Sequence, residues 1–156
     1  VAALPDACFG WRPAPGAFSC GELVVHLIQA ERFWRRLFVE AAAGRPFDPF
    51  SLQGSGEERL VAFRSGNLES AARPGLATFG ACLAWWDEIE AETLAAFAAF
   101  SDEQLESVVV DHPITGMHRP LIEMLHFMIS HEVHHRGQLS AYAKMLGVPQ
   151  PPLYAE

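Results

Sequence analysis

LIEMLHFMISHEVHHRGQLSAYAKMLGVPQPP, residues 121–152, decides how the chain folds. Arg119-Pro120 just ahead of it predicts a helix start with Pro in the first position, where its missing N–H costs nothing. Gly147 with Pro149 beyond it predicts the stop near Met145 or Leu146. On a wheel of about 100° per residue with His131 as origin, Met124, Phe127, Met128, Gln138, Tyr142, Met145 and Leu146 fall within about 60°, and His135 lies at about 40°. Both histidines are therefore expected in the middle of an apolar stripe that faces a core. Glu132 and Arg136 fall toward the flank, His134 at the stripe's edge and His126 on the opposite side.

A second helix carries the same anomaly. Ser19-Cys20-Gly21-Glu22 is an S-x-x-E capping box and predicts a helix that runs to about Ala43, where Gly44 and Pro46 stop it. With His26 as origin, Leu23, Ala30, Phe33 and Leu37 lie within about 60°, so His26 also faces a core. Residues 1–18, rich in Pro and Gly, read as loop, and so does 44–56. A short helical piece is expected near Glu57–Ser65 and a longer helix over Leu76–Phe100. Ser101-Asp102-Glu103-Gln104 resembles another cap. Val108-Val109-Val110 is β-branched and could be extended, but nothing elsewhere offers it a sheet partner. Three long helices, a short one and no convincing strand make an all-α bundle, one domain over residues 1–156.

Two helices thus bring three imidazoles into what should be a hydrocarbon seam, and a buried imidazole without a partner costs free energy. A lone core histidine is usually satisfied by a carbonyl or a tyrosine. Histidines at i and i+4, with a third facing them, have the spacing to grip one divalent metal ion, expected to be zinc or nickel. Three neutral ligands with a position left open resemble a catalytic site more than a closed structural one. Gln138, one turn beyond His135, either orients a ligand or simply hydrogen-bonds within the core.

His131-Glu132-Val133-His134-His135 is also a literal H-E-x-x-H, which in zinc peptidases uses the Glu as general base. The extended form of that motif needs Gly and His where this chain has Gln138 and Ala141. The only acid downstream is Glu156, and no edge strand is offered to a peptide. A bundle site completed by His26 is the better reading, with Glu132 still in reach of the site.

Composition narrows the partners. A formal net charge of −8 disfavours nucleic acid and anionic membranes, because phosphate binding needs a basic patch. No apolar run is long enough to span a bilayer, and the first residues do not form a secretory signal. Cys8, Cys20 and Cys82 are odd in number and widely spaced, which suits a reducing cytoplasm and three ordinary buried or half-buried side chains.

At SCGELVVHLIQAERFW (19–34) and at residues 121–152 the sequence resembles the DinB family, the DinB/YfiT-like metal-binding bundles. The resemblance covers about residues 8–153 and is weak in the middle. It implies a four-helix up-down-down-up bundle whose metal is held by three histidines, which carry over onto His26, His131 and His135. The family has a full helix ahead of the first-histidine helix; residues 1–9 have room only for its end. A truncated first helix would leave a groove for a neighbouring subunit, so a homodimer is expected. Relatives include enzymes that move low-molecular-weight thiols, so the resemblance implies a small-molecule substrate, a cellular thiol among the candidates. A metal-dependent hydrolase and a non-catalytic metal-binding or interaction bundle stay open beside it, and no catalytic residue is assigned.

Other candidates read plainly. Met128, Phe33 and Leu37 are expected to offer an apolar wall to an electrophile. Trp85 and Trp86 could line a pocket, but adjacent aromatics on an amphipathic helix usually split between core and surface. Asp87, Glu88, Glu90 and Glu92 read as a solvated face, and His112 and His118 as solvent-facing turn residues. Arg136 should pair with a carboxylate, and Gly137 should permit close helix packing.

Overall fold

A computed structural model of the chain describes residues 4–47 and 76–149; the helical piece expected at Glu57–Ser65 lies outside the described residues. Helix α1 spans Cys20–Ala42 and begins with the expected capping box, Ser19 and Glu22 each satisfying the other's backbone N–H. The next two donors of its first turn are taken by the incoming loop. Cys20 N–H donates to the Trp11 carbonyl (2.9 Å) and Gly21 N–H to that of Phe9 (2.8 Å). These bonds satisfy donors that a helix start otherwise leaves open. Gly21 has a steric reason as well: the Phe9 ring occupies the space a Cβ would need.

A 3-10 turn at Asp6–Cys8 links the loop to helix α2, Phe79–Phe97. Asp6 Oδ1 accepts from Phe79 N–H (2.8 Å), and Thr78 Oγ1 accepts from Ala81 N–H (3.2 Å). Helix α3, Asp102–Ser107, opens with a second capping box between Ser101 and Gln104. Helix α4, Leu121–Met145, follows Pro120, and the chain turns away from it at Gly147, where φ is +69°.

One sequence expectation fails between α3 and α4. Strand β1, Val109–Asp111, does have a partner: β2, His118–Pro120, pairs with it antiparallel, Val110 opposite Arg119. The six-residue loop between them is closed by His112 N–H to the Met117 carbonyl (2.8 Å) and Gly116 N–H to the His112 carbonyl (3.0 Å). Gly116 sits at φ +69°, where a side chain would be strained.

Every residue from Leu23 to Ile28 is buried, so the first half of α1 is surrounded. A helix apolar all round belongs inside a core. One apolar cluster gathers Leu23, Val24 and Ile28 with Phe79, Cys82, Leu139 and Ala143. Another gathers Trp34, Leu37 and Phe38 with Val110, Leu121 and Met124. Helices α2 and α4 both pack on α1 and make few contacts with each other.

The buried residues of α4 are Leu121, Met124, His135, Leu139 and Ala143. Their face is centred about 70° from His131 on the wheel. His135 therefore sits in the buried stripe and His131 on its edge, half-buried. Phe127 and Met145, expected in the core, are 39% and 66% exposed. The apolar stripe is wider than the face α4 buries, and Phe127 and Met145 lie on its uncovered side. Among the described residues, no helix is long and apolar enough to cross a membrane.

Candidate metal centre

His26 reaches across from the second turn of α1 to the two histidines one turn apart on α4. The Nε2 atoms lie 3.1 Å apart for His26–His135, 3.1 Å for His131–His135 and 3.3 Å for His26–His131. Mutual hydrogen bonding cannot account for all three distances. His135 Nδ1 lies 2.6 Å from Gln138 Oε1, an acceptor, so in the neutral ring the proton sits on Nδ1 and Nε2 offers a lone pair. A single proton on either of the other two nitrogens serves one pair only. A cation serves all three. Metal–imidazole bonds of about 2.0–2.1 Å place neighbouring nitrogens roughly 3.3 Å apart on a tetrahedral ion and roughly 2.9 Å apart on an octahedral one. The observed spacings fall within or beside that bracket, and these three residues could hold a metal ion.

The surroundings keep the imidazoles in the form a metal needs. Burial, and then the charges that His135, His134 and His112 would carry, pull His131 down to about 4. His135 is lowered too, by burial first, with the Gln138 hydrogen bond opposing. Both are neutral at pH 7, so no proton has to leave before a ligand bond forms. Phe18 stacks on His26 with ring centres 5.3 Å apart and closes that side. Gln138 does hydrogen-bond His135, the arrangement found behind many metal-binding histidines.

Next to His131, a cavity of about 290 Å³ opens between α1, α2 and α4. Leu27, Ala30, Trp34 and Met128 form part of its apolar lining, and Trp86 and Glu132 border it. Glu31 Oε2 accepts from the Trp86 indole N–H at 2.8 Å. Of the wall expected from the sequence, Met128 is in place; Phe33 and Leu37 belong to the core around Val110 and Leu121.

Several other readings are settled. His112 is buried, contrary to expectation. It packs against the rings of Phe33 (5.3 Å) and Trp34 (4.8 Å), and its Nδ1 accepts from the N–H groups of Ile114 and Thr115 at 3.2 Å each. Burial lowers it to about 4. His118 and His134 are exposed, and Arg136 pairs with Glu132 at 3.6 Å. Nothing among the described residues lies within 4 Å of where a Gly137 Cβ would stand, so this glycine does not serve close packing there. Cys8 is half-buried; Cys20 and Cys82 are buried.

Glu31, Trp34 and His112 were missed as site or core residues. Glu31 and Trp34 lie off the His26 stripe on α1, and only the approach of α2 turns that flank into a wall. For His112 the signal was the turn itself, since a short acceptor side chain before Pro-Ile-Thr-Gly can cap backbone N–H groups.

Comparison with known proteins agrees with the architecture. No curated protein matches the chain. A crystal structure of a DinB-like protein from Bacillus cereus ATCC 10987 superposes with a TM-score of 0.65 over 98% of this chain and 85% of that one, at 18% identity. At that identity the likeness speaks for the fold alone. The profile of the DinB superfamily matches residues 1–139, a span that includes all three histidines, and the chain belongs to the DinB superfamily.

Proposed function

We propose that His26, His131 and His135 hold one divalent ion, zinc or nickel, and that the protein transfers a small cellular thiol to an electrophile seated in the adjoining cavity. The observation that carries this reading is the convergence of three Nε2 atoms at the edge of that cavity. When bound, a divalent ion supplies positive charge that favours the ionised form of a thiol at neutral pH. The protein's own part is to hold and to exclude. Gln138 fixes the His135 ring, Phe18 shields His26, and Leu27, Trp34 and Met128 keep water from the electrophile.

No protein nucleophile is needed. Burial raises the thiols of Cys20 and Cys82, which keeps them protonated and unreactive. Replacing all three cysteines should leave activity unchanged.

Elemental analysis of the wild type beside His26→Ala and His135→Ala tests the site; equal metal content in all three would overturn it. For the reaction, metal-loaded protein is mixed with a chloro-dinitrobenzene or a bimane and a panel of cellular thiols. Conjugation no faster than with His135→Ala removes the transferase reading.

A hydrolase is favoured by one observation, the presence of Glu132 beside His131 at the cavity. Glu132 would then take a proton from the attacking water. Glu132→Gln separates the two, since it should abolish hydrolysis and spare thiol transfer. A homodimer is proposed as well, on the outward-facing Ile129 and Val133 of α4, 53% and 59% exposed. A clean monomer by light scattering at micromolar concentration would contradict it.

A further inference from the structure

We infer that the cavity beside His131 selects a cationic ligand, an ammonium group carried on an apolar body. This names a substrate class for the site just proposed and rests on that reading for the reaction, though not for the binding.

The cavity has two kinds of wall. One part of its lining is apolar and includes Leu27, Trp34 and Met128. Among the described residues, the charged ones that line it are Glu31, Asp87, Glu90 and Glu132, with no Lys or Arg beside them. The chain as a whole carries 11 basic against 19 acidic residues, so an all-acidic lining goes beyond the background. The neighbouring positive charges are engaged elsewhere. Arg35 pairs with Glu92 at 2.5 Å and also donates to the Ile89 carbonyl, while Arg32 lies over the Trp85 ring at 5.5 Å. Glu132 shares its charge with Arg136 at 3.6 Å. Glu31, Asp87 and Glu90 have no basic partner among the described residues.

The aromatic lining points the same way, independently of the carboxylates. Trp34 and Trp86 both border the cavity, and the Trp86 indole is pinned by its N–H bond to Glu31. An indole face attracts cations more strongly than any other side-chain ring. A volume of about 290 Å³ is near the lower end for small-molecule sites. His131 is the triad member that lines the cavity. A ligand with its ammonium among Glu31, Asp87 and Glu90 can therefore extend its other end toward the triad. An anionic ligand would meet four carboxylates and, among the described residues, no compensating base.

Three probes of matched size decide the matter: phenethylammonium, 2-phenylethanol and phenylacetate, titrated by tryptophan fluorescence into metal-loaded and metal-stripped protein. The ammonium should bind about tenfold or more tighter than the alcohol and weaken as salt is raised, and the carboxylate should not saturate. Glu31→Gln keeps the acceptor for Trp86 and removes the charge; with Glu90→Gln it should bring ammonium affinity down to that of the alcohol, with metal content and helical circular dichroism unchanged. Asp87→Asn, on the exposed rim, provides a separate variant should the pair not fold. Equal affinity for the three probes, or an ammonium preference that survives loss of these charges, overturns the inference. Ammonium preference in a protein that binds no metal overturns the proposed reaction and leaves this binding site standing. Metal binding without the preference does the reverse.

Discussion

His135 shows how one neighbour can set the tautomer of an imidazole. Its Nδ1 proton is held by Gln138 Oε1 at 2.6 Å, so Nε2 faces the triad as a lone pair in a ring that cannot swing. Gln138→Leu keeps the volume and removes the acceptor. It should weaken divalent-metal affinity by about ten- to a hundredfold, measured by competition with a chromophoric chelator, and leave the helical signal intact. His112 is the contrasting residue, neutral for structural reasons. Its folded value is about 4 against 6.5 for the free side chain, so between those values the unfolded chain binds more protons than the folded one. Its contribution is therefore complete above about pH 6.5, declines as pH falls and is gone below about pH 4, a loss on the order of 3 kcal/mol. Urea unfolding across that range should show a decline that is shallower in His112→Asn, whose Oδ1 can still accept from Ile114 and Thr115. At this scale the triad was legible because helical spacing fixes where His26, His131 and His135 point. Glu31, Trp34 and His112 were not, because each owes its position to a contact with a distant segment.

Helix α1 illustrates what the sequence specifies at the scale of an element. Its start could be read to the residue, since Ser19 and Glu22 close on each other within one turn. Ser19→Ala should cost about 1 kcal/mol in thermal or urea unfolding. Gly21 occupies the third position of the S-x-x-E box, one that the motif leaves open. In the folded chain it makes room for the Phe9 ring, which also packs on Phe79 at 5.2 Å. Gly21→Ala should therefore destabilise by about 1–3 kcal/mol, and Phe9→Ala made with it should cost less than the two changes added together. The hairpin escaped notice because only one of its strands has the β-branched residues that announce a strand. His118-Arg119-Pro120 is recruited by its short link to Val109–Asp111, and Pro at the last position can serve because this sheet is only an edge. On α4 the wheel placed the histidines on the right side of the helix but centred the stripe too close to His131. Amphipathic period fixes which residues share a face. It does not fix how wide a contact the neighbouring helices will make with that face.

For the whole molecule, the mostly helical architecture was legible from periodicity and caps; the hairpin was not. The cavity was not, because it depends on how α1, α2 and α4 are set against one another. Among the described residues, both α2 and α4 lean on α1 and scarcely on each other, so the space between them is bounded on two sides by helices that share one support. Its breadth is therefore compliant. A small slide of α2 along α1 can open it without tearing apart an α2–α4 interface, the kind of shear that packed helices tolerate. Selection by charge and selection by girth should then behave differently. Reversing the sign of a ligand should abolish binding at once, whereas a series of ammonium probes with progressively bulkier bodies should lose affinity by degrees, with no abrupt cut-off in size.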